Sequence, residues 1–221
     1  MADANYIKSW GSIIDVKELN RVLKQLPNLD NIAPSSKDIF RAFKLCNYNN
    51  LKCIILGMDP YPQKGIATGL AFANYADQKI SPSLNVIKEA LLSNNKFYEF
   101  DQTLEFWAEQ GVLLLNSALT VELNKPGSHT ALWRNFIIKV LKNLSLYSPG
   151  LVYILFGNTA ASFSSFINKT NHVLKEMHPA YYARYSIPMD STVFDRANRI
   201  IYNMNGEKIQ WLKNTMYEDI N

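Results

Sequence analysis

A chain of 221 residues can bury one substantial core and is too short for two large domains. With 48% hydrophobic and 19% charged residues it is not a mostly disordered chain, and a net charge of +4 permits an anionic partner such as nucleic acid without requiring one. Two cysteines, Cys46 and Cys53, are too few for an iron–sulfur cluster held by four thiolates, and with no apolar leader over residues 1–14 they point to free thiols in a reducing, intracellular setting.

Residues 1–50 read as helical. The segment Val16–Leu23 has apolar residues at helical spacing, with Asp15 placed as its N-cap. Ser35-Ser36 precede Ile39, Phe40 and Phe43, a second short helix. Cys53–Leu56 is a continuous apolar run, read as a buried strand. It breaks at Gly57 and delivers an acid, Asp59, and a ring, Tyr61, each followed by proline. Proline fixes its own φ and restricts the residue before it, so this loop is stiff. It reads either as a site or as a surface turn whose aspartate bonds its own backbone. Gly65–Phe72 carries two glycines and small residues, suited to backbone passing close to a ligand or another segment. Ser81-Pro82-Ser83 caps a helix from Leu84 to about Leu92, and Asn94-Asn95-Lys96 is a polar break.

A second unit follows. Thr103 to Gln110 reads as a helix stopped by Gly111, and Val112–Leu115 as a buried strand ending at Asn116. Gly127-Ser128-His129-Thr130 is a loop before an amphipathic helix from about Leu132 to Leu146. Leu151–Phe156 is the third strand, ending at Gly157-Asn158, with a short helix from Ala160 to Phe166. His172–Met177 is the fourth strand, ending at His178-Pro179, and Val193 to Tyr202 a further helix. None of these runs approaches the about 20 apolar residues of a membrane span, so no membrane is expected.

Four apolar runs alternating with helical segments predict a single α/β domain over 1–221, with residues 1–50 its helical N-terminal part. Its centre is a four-stranded, largely parallel, twisted sheet with helices on both faces. Ligands of such folds bind beyond the carboxyl ends of the strands. The residues just past the strands are Asp59 with Tyr61, Asn116, Gly157-Asn158 and His178. An acid, an amide, a small-residue turn and an imidazole are thereby expected on one rim.

Gly57-Met58-Asp59-Pro60-Tyr61-Pro62, Gly69-Leu70-Ala71-Phe72, Trp107–Asn116, Gly127-Ser128-His129 and His178-Pro179 occur in this order. Together they resemble family 1 uracil-DNA glycosylases over roughly residues 50–211. Gly57–Pro62 and His178–Arg184 are closer to the poxvirus-type branch than to the common bacterial one. The resemblance implies a DNA repair hydrolase without metal or cofactor. It turns uracil out of DNA and cleaves the N-glycosidic bond, leaving an abasic site.

The resemblance also implies roles. Asp59 stabilises the sugar cation and orients water, and a neutral His178 donates to uracil O2 as charge develops there. Asn116 reads N3–H and O4 and needs a second shell to fix its amide. Phe72 stacks on the base, Tyr61 excludes the thymine methyl, and the backbone at Met58 and Asp59 completes the hydrogen bonding. Ser83 with Gly157-Asn158 pinches phosphates, and Arg184 and Lys64 are candidate phosphate contacts. Tyr182, or else Tyr181, fills the gap left by the base.

Two positions leave the usual pattern: Pro62 stands for a histidine and Met58 for a glutamine. Expected partners are uracil-containing DNA, single- or double-stranded, and a proteinaceous inhibitor, with the protein a monomer. The compartment would be cytoplasmic in a bacterium or virus and nuclear in a eukaryote. The alternatives are a catalytically weak DNA-binding or replication-accessory module on the same fold, and a metal hydrolase built on Asp59 and His178, for which no third ligand stands out.

Overall fold

The computed structural model describes residues 9–93, 95 and 97–214, so Asn94 and Lys96 of the polar break lie outside the described residues. In chain order the elements are α1 (Val16–Gln25), β1 (Ile32–Ala33), α2 (Arg41–Leu45), β2 (Cys53–Gly57), α3 (Pro82–Leu92), β3 (Tyr98–Glu99), α4 (Glu105–Glu109) and β4 (Val112–Asn116). There follow β5 (Val121–Glu122), α5 (Thr130–Tyr147), β6 (Val152–Phe156), α6 (Gly157–Ala161), β7 (His172–Glu176), α7 (Pro179–Tyr185), α8 (Thr192–Asn205) and β8 (Lys213–Asn214).

The strands β2, β4, β6 and β7 form a four-stranded, all-parallel sheet in the order β4-β2-β6-β7. Every residue of β2, β4 and β6 is buried. Successive strand side chains point to opposite faces, so full burial requires cover on both. That is why these strands read as unbroken apolar runs. The edge strand β7 buries only Leu174 and is correspondingly mixed in sequence, whereas the opposite edge strand, β4, is buried throughout. Part of the cover is α5, which presents Trp133, Phe136, Ile137, Val140, Leu141 and Leu144 at helical spacing, all fully buried. Truncating one of these, Phe136→Ala, should cost about 3–5 kcal/mol.

From β2 the chain moves outward to β4, then returns past β2 to β6 and on to β7. The direction reverses between β2 and β6, where ligands of parallel sheets bind. In register, Gly57 of β2 pairs with Asn116 of β4, and Phe156 of β6 with Glu176 of β7. The segments that follow these four strands therefore leave the sheet on one rim.

Two caps match their sequence reading. Asp15 accepts the Glu18 N–H at 2.9 Å to start α1, and Ser81 accepts the Leu84 N–H at 3.4 Å to start α3. Other boundaries differ. The helix expected after Ser35-Ser36 begins only at Arg41, because residues 35–38 close a turn through the Asp38 N–H on the Ser35 carbonyl. The helix expected from Thr103 shrinks to Glu105–Glu109; Leu104 takes φ +54, and Asp101 ties up the N–H groups of Thr103 and Phe106. The segment read as one helix over 160–166 is α6 followed by a 3₁₀ turn at Ser164–Phe166. α7 lies in a segment given no helix from the sequence. The two-residue strands β1 with β5 and β3 with β8, too short for any periodicity, pair antiparallel.

Candidate active site

The rim holds a cavity of ≈ 190 Å³, lined among others by Met58, Asp59, Tyr61, Phe72, Asn116 and His178. Ser83, in the first turn of α3, lines it as well. The volume is below the about 300–1,000 Å³ of pockets for drug-sized ligands, and suits one small planar ring. Of the residues expected at a site, these seven meet in one place.

Asp59 follows β2 directly. The Gly57 and Met58 carbonyls accept the Ser117 and Ala118 N–H groups, both at 3.0 Å, and the Pro62 carbonyl accepts the Asn124 N–H at 2.9 Å. The loop is thus anchored at both ends to chain that follows β4. The Asp59 carboxylate accepts the Gly127 N–H at 2.6 Å. Burial pushes its pKa above the ordinary 3.8, and the Gly127 bond works in the opposite sense. Gly127 sits at φ +79 in a loop that is itself fixed. Ser128 Oγ accepts the Glu122 N–H at 2.8 Å, and His129 Nδ1 lies 2.9 Å from Thr120 Oγ1, which accepts the Trp133 indole N–H at 2.7 Å.

His178 caps α7. Its Nδ1 accepts the Ala180 N–H at 3.1 Å, so Nδ1 carries no proton and the neutral ring bears its proton on Nε2. Burial pushes its pKa below 6.5, which favours the same neutral form. A Cβ on Gly157 would stand 2.9 Å from the His178 Cβ, so the glycine after β6 allows the imidazole to lie where it does.

Asn116 ends β4 and is buried. Its amide fits only because position 57 has no side chain: a Cβ on Gly57 would fall 2.5 Å from Oδ1 and 3.3 Å from the Phe72 ring. Only a glycine at position 57 leaves both groups in place. Phe72 adopts φ +68, rare for an aromatic residue, and strain of this kind gathers at functional sites. Its ring stands 5.4 Å from Phe156 and 5.5 Å from His178.

The remaining expected residues lie outside the cavity lining. Gly157 and Asn158 open α6, with Asn158 exposed. Arg184 is exposed in the last turn of α7, and Lys64 lines a separate groove with Gly65 and Tyr75. Tyr182, the first choice for filling the gap left by a base, is half-buried and packs against the core. Tyr181 and Tyr185 are exposed instead, with rings 4.8 Å apart. The unexpected helix explains the difference: residues four apart share a face, and the outward face of α7 carries 181 and 185.

Ala67 and Leu70, in the segment expected to pass close to a ligand or another segment, line the cavity; sequence reasoning gave no role to Gly127. Gly127 had a readable signal, a glycine in a Pro-Gly-Ser turn, but nothing local says that its N–H meets a carboxylate. Among the described residues no group of three His, Cys, Asp or Glu side chains is placed to hold a metal ion, and no helix is long and apolar enough to cross a membrane.

Residues 43–201 match the uracil DNA glycosylase superfamily. The chain is 37% identical over 216 residues to a uracil-DNA glycosylase of Buchnera aphidicola, covering 93% of this chain and 98% of that one. It is 38% identical over 215 residues to uracil-DNA glycosylase 1 of Listeria monocytogenes, covering 93% and 97%. The crystal structure of mimivirus uracil-DNA glycosylase superposes with a TM-score of 0.74 at 22% identity, covering 96% of both chains. A variant of the mimivirus enzyme, crystallised in complex with UGI, superposes with a TM-score of 0.75 at 21% identity, covering 95% and 98%.

Proposed function

The chain belongs to the uracil DNA glycosylase superfamily, and on that premise we propose that Asp59 and His178 carry the cleavage while Asn116, Phe72 and Tyr61 select the base. The protein is a uracil-DNA glycosylase, a hydrolase of N-glycosyl bonds that excises uracil from DNA in repair. We assign it to family 1, with poxvirus-type features in Gly57–Pro62 and His178–Arg184. The carrying observation is that one small cavity gathers the Asp59 carboxylate, the Asn116 amide and an imidazole whose Nε2 bears the proton.

The base must leave the stack, at a cost of a few kcal/mol, and enter the cavity. Phe72 stacks on its face. Asn116 accepts from uracil N3–H and donates to O4, and cytosine, which reverses both groups, is rejected. As the glycosidic bond lengthens, negative charge grows on O2 and His178 Nε2–H donates to it. Asp59, ionised, faces the sugar cation and orients the attacking water. Ser83 and Gly157-Asn158 hold phosphates on either side of the lesion, with Arg184 and Lys64 as further contacts. We assign the gap-filling ring to Tyr181, which is 41% exposed. One chain carries every group named, in keeping with a monomer, and two buried thiols fit an intracellular protein. A proteinaceous inhibitor is a further proposed partner, since a mimivirus homologue of this fold is bound to UGI.

The test is incubation with a uracil-containing single-stranded oligonucleotide, then alkali to reveal abasic sites. Strand scission by wild type and its loss in Asp59→Asn support the reading. DNA binding without scission would mark a binding module instead. Asn116→Asp should slow uracil excision and admit some cytosine, because a carboxylate accepts from cytosine N4; unchanged uracil activity in that variant would overturn the role of Asn116.

A further inference from the structure

Tyr61 closes one side of the cavity, and its ring packs against the small cluster of Ala33, Ala67 and Val121. That packing leaves the phenol end to be fixed by hydrogen bonds. The Tyr61 hydroxyl donates to the Phe72 carbonyl at 2.8 Å. Its oxygen lies 2.6 Å from Ser81 Oγ, and since the Tyr61 proton is already committed to Phe72, the Ser81 hydroxyl is the donor of this second bond. Burial pushes the Tyr61 pKa up to about 12, so the phenol keeps its proton. Ser81 is in turn anchored: its N–H donates to Asn74 Oδ1 at 2.8 Å, and Asn74 is almost fully buried. Its Oγ also accepts the Leu84 N–H at the start of α3.

One serine therefore supports both the helix turn that carries Ser83 and the tyrosine at the cavity wall, whose hydroxyl in turn holds the carbonyl of the residue at φ +68. A tyrosine that excludes a methyl group must be stiff, because a ring that swings aside admits what it should reject. We propose that Ser81 is a specificity-positioning residue. It holds the Tyr61 phenol against the Phe72 carbonyl so that the ring stays where the 5-methyl group of thymine would fall. This rests on the assignment of Tyr61 as the barrier to thymine. The sequence singled out Ser81 only as a helix cap, a role that other cap residues fill equally well and that alone does not require a hydroxyl donor.

The experiment compares kcat/KM for uracil and for thymine in matched single-stranded oligonucleotides. Four variants are used: Ser81→Ala, Ser81→Thr, Tyr61→Phe and Tyr61→Ala. Loss of the Ser81 bond should raise the thymine-to-uracil ratio about fivefold to tenfold in Ser81→Ala, and by at least as much in Tyr61→Phe, which loses the bond to the Phe72 carbonyl as well. Ser81→Thr, which keeps both donor and cap, should return the ratio to that of wild type. A merely structural role would slow both substrates alike and lower the unfolding temperature with no change in the ratio, and that result overturns the proposal. Tyr61→Ala separates the two levels. If it admits thymine while Ser81→Ala and Tyr61→Phe discriminate as wild type does, the barrier stands and the role of Ser81 falls. If it does not admit thymine, the barrier itself is wrong and the role of Ser81 falls with it. Tyr61→Phe keeps the ring and the α3 cap but loses both hydroxyl bonds, so a wild-type ratio in it overturns the role of Ser81 even if Ser81→Ala fails to fold.

Discussion

The Asp59 carboxylate is held by Gly127, 68 residues further along the chain, whereas the imidazole of His178 is held by Ala180, two residues away. One depends on a loop that is itself hung from Thr120, Glu122 and Trp133. The other is set by the first turn of its own helix and by the bare Cα of Gly157. The acid is therefore sensitive to changes far from it in sequence, and the imidazole to changes close by. The two groups also meet burial in opposite ways. It raises the Asp59 pKa and so works against the charge that catalysis needs, while it lowers that of His178 and favours the neutral ring.

The largest expected effect follows from that contrast. Asp59→Asn should cut kcat by on the order of 10³-fold or more, with DNA affinity nearly unchanged. The same variant should be more stable than wild type at about pH 7. The sign follows from linkage. The folded pKa of Asp59 lies above the ordinary 3.8, so between the two values the folded state binds more protons than the unfolded one, and stability falls as pH rises through that window. Asparagine does not carry this deficit. Thermal unfolding of the two proteins should differ at about pH 7 and converge at about pH 3. A less stable Asp59→Asn at neutral pH would mean that the carboxylate serves the fold more than the reaction.

Next in size is His178→Ala, with a loss of about 10²–10³-fold in kcat, as for removal of one donor aimed at developing charge. His178→Gln sharpens the comparison, since glutamine offers an N–H but does not titrate. In wild type both groups shape the acid limb of kcat/KM: His178 gains a proton below 6.5, and Asp59 gains one at a value above 3.8. Protonation of Asp59 removes the charge that faces the sugar, and protonation of His178 puts a proton on Nδ1 and breaks its bond from the Ala180 N–H; each should slow excision. In His178→Gln the limb belongs to Asp59 alone and should lose the part contributed by His178, leaving a slope of one proton. A limb that keeps its steepness would mean that another group titrates in the site.

The same contrast explains what the chain revealed before its structure was seen. Continuous apolar runs marked the three buried strands, and the position of Asp59, Asn116 and His178 just past strand ends was enough to gather them on one rim. Asp15 and Ser81 were legible as caps because a cap is a local arrangement. α7 was missed because Pro179-Ala180-Tyr181-Tyr182 has aromatic residues of modest helix propensity and begins with a histidine cap, which is not among the favoured cap residues. Missing it put Tyr182 outward, when the helical turn brings it against the core. The support of Asp59 was illegible for a different reason. No periodicity in residues 121–130 encodes an N–H directed at a carboxylate 68 positions earlier. The room that Gly57 leaves for the Asn116 amide was hidden likewise, because the close approach arises only once β2 and β4 pair in register.

The smallest effect tests that remote support directly. Gly127 has φ +79, and a Cβ there would meet the Met58 Cε at 3.4 Å, an ordinary contact. Gly127→Ala therefore strains the backbone by about 1–2 kcal/mol without a clash. The loop can relieve that strain by letting its N–H drift from Asp59. Excision should slow about threefold to tenfold, far less than in Asp59→Asn, because the carboxylate itself remains. The pH profile then separates a loosened acid from a loosened fold. The Gly127 bond favours the ionised carboxylate, so weakening it raises the Asp59 pKa further and moves the acid limb of kcat/KM to higher pH. His178→Gln leaves this bond untouched and should show no such upward movement. An acid limb that stays in place in Gly127→Ala, with the rate reduced at every pH by the same factor, would show that the loop shapes the cavity without tuning the acid, and the division between a remotely held acid and a locally held imidazole would lose its chemical content.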